Sequence, residues 1–237
     1  MTFDFVKGET LLVDKELGWT SFDAVKSIRG SLQKAYNVRR FKVGHAGTLD
    51  PLATGLLLIC TGKSTKIIDS LQAQEKIYTG SIFLGATTPS SDKETEVDKT
   101  FSIDHIDEKL LKETASSFEG IIEQTPPVFS AIKIDGKRAY EYARKNEEVK
   151  IKSRKIEIFY FKITKIEMPE VFFEVKCSKG TYIRSLARDF GAKLNSGGYL
   201  SSLRRTHIGE YCVDDALKID AIKELIHSQK IETKKTI

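Results

Sequence analysis

Cysteine is scarce in this chain. Cys60, Cys177 and Cys212 are the only three in 237 residues, far apart and in no C-x-x-C pair. That excludes a disulfide framework and offers no spacing for a zinc site. Cys60 and Cys177 stand in strand-like runs and read as small buried hydrophobes. No apolar run approaches the roughly 20 residues that span a bilayer. The opening M-T-F-D-F-V-K-G-E-T has neither a basic n-region nor an apolar h-region, so the expected compartment is the cytoplasm. There is no internal repeat, low-complexity tract or clear interdomain linker, and a single domain over residues 1–237 is expected.

What is present is an ordinary globular balance, 40% hydrophobic and 30% charged, enough for a core without staples. The net charge of +5 is a mild bias toward polyanions. It is concentrated in two windows. Asp23 to His45 holds six Lys/Arg and one acid; Lys133 to Lys155 holds nine Lys/Arg and four acids, with Tyr140 and Tyr142 among them. Basic groups interleaved with aromatics suit a nucleic-acid backbone and its bases; a solvated face is the plainer reading of the same charges.

T-L-L-V-D (10–14) reads as a strand, followed by a helix capped by Ser21 with Phe22, Val25, Ile28 and Leu32 at helical spacing. G-L-L-L-I-C (55–60) is a continuous apolar run and so a buried strand, and I-Y-T-G-S-I-F-L-G-A-T (77–87) is another. P-S-S-D-K-E-T-E-V-D (89–98) reads as a solvent-facing polar loop. Ile106, Leu110, Leu111 and Phe118 mark a helix ended by Gly120. A hairpin tip is expected at Asp135-Gly136, then a short helix, then strands over 156–166 and 170–178. Thr181 to Asn195 carries a helical stripe of Ile183, Leu186, Ala187, Phe190 and Leu194. Final strands precede a last helix capped by Asp214, and a polar tail ends the chain. Irregular interspersion of strands and helices predicts α+β with a mixed, mainly antiparallel central sheet.

Between the first helix and the apolar strand lies G-H-A-G-T-L-D-P-L-A-T-G (44–55). Asp50 is its one acid, and no cation stands within four residues of it. Asp before Pro51 is a common turn element, yet an isolated carboxylate in a Gly-lined loop is also a plausible nucleophile. The following T-G-K-S-T ends like a phosphate-binding loop, but that motif needs a glycine five residues before Gly62. Leu57 stands there, so the phosphate-loop reading fails and Lys63 is read as a surface cation.

These residues resemble the signature of the TruB family of tRNA pseudouridine synthases, and five further blocks do so in the family's order. They are V-D-K-E-L-G-W-T-S-F-D-A-V (13–25), E-K-I-Y-T-G-S-I-F-L-G (75–85), T-P-P-V-F-S-A-I-K-I-D-G-K-R-A-Y-E-Y-A-R (125–144), C-S-K-G-T-Y-I-R-S-L-A-R-D (177–189) and G-G-Y-L-S-S-L-R-R-T-H-I-G (197–209). The resemblance implies the pseudouridine synthase catalytic fold, with RNA-binding loops around its sheet, and isomerisation of a uridine in the T loop of tRNA, at tRNA position 55. No cofactor and no metal is implied. Asp50 matches the family's catalytic aspartate, Tyr78 its active-site tyrosine and Arg184 the aspartate's arginine partner. Leu203 matches an apolar residue of the pocket, and His45 the histidine that fills the space left by the extruded base. Lys15, Tyr182, Arg39, Arg40, Lys133 and Arg138 are expected RNA contacts.

The resemblance further implies an RNA-gripping insertion over about 125–155 and a short C-terminal helix and tail over 213–237. That remainder is too short for the PUA-like RNA-binding domain many bacterial members add. A stand-alone form is therefore expected, monomeric, binding the T-arm of tRNA with no guide RNA, obligatory protein partner or membrane. D-K-E-L-G-W-T replaces the commoner D-K-P-x-G-x-T. The rival from another class is an RNA-binding or RNA-folding module without catalysis, which has the same basic windows but no need of Asp50.

Overall fold

The computed structural model describes residues 3–130, 132–134, 136–143, 147, 149 and 151–235. In chain order its elements are β1 (Thr10–Lys15), α1 (Ser21–Tyr36), β2 (Val43–Ala46), β3 (Ala53–Thr61), a 3-10 segment (Gly62–Ile67) running into α2 (Ile68–Ala73), β4 (Lys76–Leu84), β5 (Ala86–Thr87) and β6 (Lys99–Thr100). Then follow α3 (Glu108–Ser116), β7 (Gly120–Gln124), β8 (Lys133–Ile134), β9 (Lys137–Arg138), α4 (Ala139–Ala143), β10 (Arg154–Glu167) and β11 (Glu170–Cys177). The last are α5 (Ile183–Lys193), β12 (Gly198–Ile208), β13 (Tyr211–Cys212), a 3-10 turn (Val213–Asp215) and α6 (Ile219–Lys235). The chain divides into two compact units, one formed by Met1–Lys76 with Arg204–Ile237, the other by Ile77–Leu203.

In the first unit β3 is central. It pairs antiparallel with β1, from Thr10↔Cys60 to Lys15↔Gly55, and with β2, from Val43↔Thr61 to Ala46↔Leu58. Its apolar run is continuous because both faces are covered. Leu56, Leu58 and Cys60 pack with Ala46, Leu71, Ile208 and Val213. Helix α1 buries Ala24, Val25, Ile28, Leu32 and Ala35, each large one worth about 1.5–3 kcal/mol, and packs on β2 and α6. Its cap is Thr20 rather than Ser21: Thr20 Oγ1 accepts from the Asp23 amide while the Asp23 carboxylate accepts from the Thr20 amide, a reciprocal capping box. Ser21 is thereby released for another bond.

In the second unit the strand order includes β12-β4-β11-β10-β7, with β10 antiparallel to both β11 and β7. Phe161 of β10 is the centre of its core. It meets Phe173 of β11 edge-on at 5.6 Å and Phe190 of α5 at 5.3 Å. The α5 stripe predicted from the sequence therefore lies against the sheet, and this anchors the helix N-terminus where Arg184 stands. The expected α+β organisation with mainly antiparallel pairing is present.

Local expectations failed in three places. The loop at 89–98 faces solvent over most of its length, as expected, but Ser90, Ser91 and Asp92 do not: they are 0%, 5% and 5% exposed. The last helix starts at Ile219, and Asp214 belongs to the 3-10 turn before it. The motif at 44–55 is less irregular than its glycines suggest, since it begins in β2 and ends in β3.

Candidate functional site

Asp50 sits on a tight turn between β2 and β3 whose backbone is held on every side. The Asp50 carbonyl accepts from the Ala53 amide at 3.0 Å, and the Pro51 carbonyl from the Gly18 amide at 2.8 Å. Ser21 Oγ accepts from the Leu49 amide at 2.8 Å and donates to the Leu49 carbonyl at 3.1 Å. Arg205 donates from Nη2 to the Gly47 carbonyl at 3.1 Å and from Nη1 to that of Thr48 at 3.4 Å. The Asp50 side chain is partly exposed on this fixed frame. A carboxylate so carried needs little reorganisation to meet a substrate.

Lys15 belongs to the same unit and is 0% exposed. Its ammonium donates to the carbonyls of Glu16 and Trp19 at 3.0 and 2.7 Å. Lys15, expected as an RNA contact, is thus a buried side chain of β1, in register opposite Gly55 of β3. Burial brings its pKa down to about 8; the Asp50 charge opposes that and the Arg205 guanidinium adds to it. His45, in β2, is likewise held below the usual histidine value by burial and then by Arg205, with the Gly47 backbone opposing.

The second unit carries Tyr78, Arg184, Tyr182 and Leu203. Arg184 stands in the first turn of α5 and is 6% exposed. Nη2 donates to the Phe129 carbonyl at 2.9 Å, Nη1 to the Ser90 carbonyl at 3.3 Å, and Nε lies 3.5 Å from Asp92 Oδ2. The guanidinium thus joins a buried acid to the segment that opens the proposed RNA-gripping insertion. Tyr78 is buried within β4 at 8% exposure, and Leu203 is partly buried in β12. Tyr182 is held by its backbone, which donates to and accepts from Gln124, while the Arg154 guanidinium lies over its ring at 4.7 Å.

Of the remaining expected RNA contacts, Arg39 and Arg40 are exposed. Arg40 lines a cavity of about 400 Å³ together with Tyr36, Phe41, Lys42, Lys63 and Lys66. Lys133 and Arg138 are register partners across the β8–β9 hairpin; their side chains lie outside the described residues, as does Asp135 at the hairpin tip. Among the described residues no group of three or more His, Cys, Asp or Glu could hold a metal ion.

Two residues were missed from sequence. Asp92 has the composition of a solvated loop around it and gives no local sign of burial. Arg205 stands in the last quoted block, but its partners lie 149 to 158 residues away.

Comparison with known proteins adds to this geometry. A family model described as TruB family pseudouridylate synthase, N-terminal domain, matches residues 33–183. Over 222 residues the chain is 56% identical to tRNA pseudouridine synthase B of Flavobacterium johnsoniae, covering 93% of this chain and 97% of that one. Over 229 residues it is 49% identical to tRNA pseudouridine synthase B of Phocaeicola vulgatus, covering 97% of each. Among solved structures, the archaeal box H/ACA sRNP Nop10-Cbf5 complex aligns with a TM-score of 0.69 at 24% identity, over 97% of this chain and 57% of that one. At that identity the likeness concerns the fold.

Proposed function

The chain belongs to the TruB family of pseudouridylate synthases and isomerises uridine in tRNA to pseudouridine; we propose that its target is the T-loop uridine at tRNA position 55, extruded from its stack, and that Asp50 is the reacting carboxylate. The ribose C1′ to N1 bond breaks, the uracil turns, C5 bonds to C1′, and the proton on C5 is lost while N1 gains one. Atoms and electrons balance without a donor or redox partner. Attack on the sugar, attack on the base and support of elimination each need an ionised oxygen held against the nucleotide.

The observation that carries this reading is the turn itself. A partly exposed acid is presented on a backbone tied down by Ser21, Gly18, Ala53 and Arg205. Lys15, buried in the same unit, feels its charge. Tyr78 is proposed to stack on the uracil and aid loss of the C5 proton, Arg184 to act as the cationic partner of the aspartate, and Leu203 to line the base pocket. Neutral His45 is proposed to fill the gap left by the extruded base, whose removal costs a few kcal/mol.

Arg39, Arg40, Tyr182, Lys133 and Arg138 are proposed to hold the T-arm, phosphate contacts setting register and loop shape setting selectivity. The enzyme is proposed to act as a cytoplasmic monomer without guide RNA; among the described residues no helix is long and apolar enough to cross a membrane. The test is purified protein with a T-arm stem-loop. Wild type should form pseudouridine, while Asp50→Asn should bind the RNA with little change and leave it unmodified. Equal binding with no modification by either would favour the RNA-folding module instead.

A further inference from the structure

Arg205 is 1% exposed and heads the fully buried side chains by size. Its three hydrogen-bond acceptors are main-chain carbonyls: Leu56 from Nε at 2.8 Å, Thr48 from Nη1 at 3.4 Å and Gly47 from Nη2 at 3.1 Å. Two of these precede Asp50 and the third follows it, so one planar guanidinium spans the turn from both sides. A lysine ammonium, a point donor on a flexible stem, does not reproduce that fork.

The glycines of the motif match this role. Gly55 has φ +99°, and a Cβ there would lie 2.3 Å from the Arg205 carbonyl oxygen and 2.9 Å from its nitrogen. Gly47 has φ +92°, and a Cβ there would stand 3.5 Å from Arg205 Nη1. Both ends of the Asp50 segment are therefore glycine where the chain closes around Arg205. Burying a guanidinium is costly, and this one is spent on the backbone of a single turn.

We propose that Arg205 is a positioning residue for the reaction: by fixing the carbonyls of Gly47, Thr48 and Leu56 it holds the Asp50 carboxylate in one orientation. It does not touch the substrate. The inference rests on Asp50 being the reacting group.

The test is single-turnover pseudouridine formation and RNA affinity on the T-arm stem-loop with wild type, Arg205→Ala and Arg205→Lys. The chemical rate should fall about a hundredfold, the usual cost of a misplacement near 1 Å, while Kd changes less than about threefold. Arg205→Lys should recover little, and added methylguanidinium should restore rate to Arg205→Ala but not to Asp50→Asn. Should the Arg205 variants fail to fold, Gly47→Ala disturbs the same carbonyl with the guanidinium still in place, and should show the same loss of rate at unchanged affinity. Full activity in the folded variants, or rate and affinity falling together without rescue, overturns the proposal. A wild-type protein that makes no pseudouridine sinks the proposed function instead, which separates the two failures.

Discussion

Asp92 Oδ2 lies 3.5 Å from Arg184 Nε, with side chains 7% and 6% exposed. A charge pair so far from water is held by mutual attraction and by the carbonyls of Ser90 and Phe129 that share the guanidinium. Removing one member takes a buried charge partner from the other, a loss of about 3–5 kcal/mol. Asp92→Ala should therefore lower the unfolding free energy in urea by that order. If Arg184 has the catalytic part proposed, turnover should fall as well, with RNA affinity affected less. An Asp92→Ala protein as stable as wild type would show that the pair contributes nothing.

Ser21 is the second residue expected to govern the turn. Its hydroxyl makes both bonds to Leu49, and its burial at 2% leaves no water to replace it. Ser21→Ala should cost about 1–3 kcal/mol through the unsatisfied Leu49 groups, without loss of helix α1, which Thr20 caps. Circular dichroism and denaturant midpoints separate these two outcomes.

Lys15 gives a pH dependence with a definite sign. Its folded pKa of about 8 lies below the unfolded 10.5. Between those values the unfolded chain binds the extra proton, so stability rises with pH there. Below about pH 8 both states are charged and this group adds no slope. The unfolding free energy of wild type relative to Lys15→Met should accordingly increase from about pH 8 to 10.5. A flat difference would mean that the ammonium is not desolvated as the structure has it.

The exposed cations should set the salt response. Replacing Arg39 or Arg40 with Gln should weaken T-arm binding and reduce the slope of log K against log salt by about 1 each if each neutralises one phosphate. Tyr36, on the cavity wall beside Arg40, offers a ring to a base, and Tyr36→Ala should cost about 1–3 kcal/mol of binding. Filter binding across a salt series measures both.

Much of the frame was legible because it is local. The apolar run at 55–60 could only be a covered strand, and the stripe from Ile183 to Phe190 only a helix lying on a core. The motif around Asp50 showed an acid without a nearby cation in sequence. Helix starts were read one or a few residues off, because Thr20 and Ser21 are equally good caps until Asp23 closes a box with one of them. Ser90, Ser91 and Asp92 depart from the solvent-facing expectation for a stronger reason: two serines and an acid look the same in sequence whether they meet water or a buried guanidinium.

The order of side chains along the chain determined, by itself, the main apolar strands, the amphipathic helices and the family, since periodicity and motif spacing are properties of neighbours; β2 and β7 were not among those strands. Only the tertiary structure decided that Lys15 is buried, that Asp92 faces Arg184 and that Arg205 reaches the turn carrying Asp50. The last two are meetings of polar groups some ninety to more than a hundred and fifty residues apart, while Lys15, whose own acceptors are near in sequence, is buried by strand pairing. Which buried donor finds which acceptor depends on strand register and packing, and no local pattern records it.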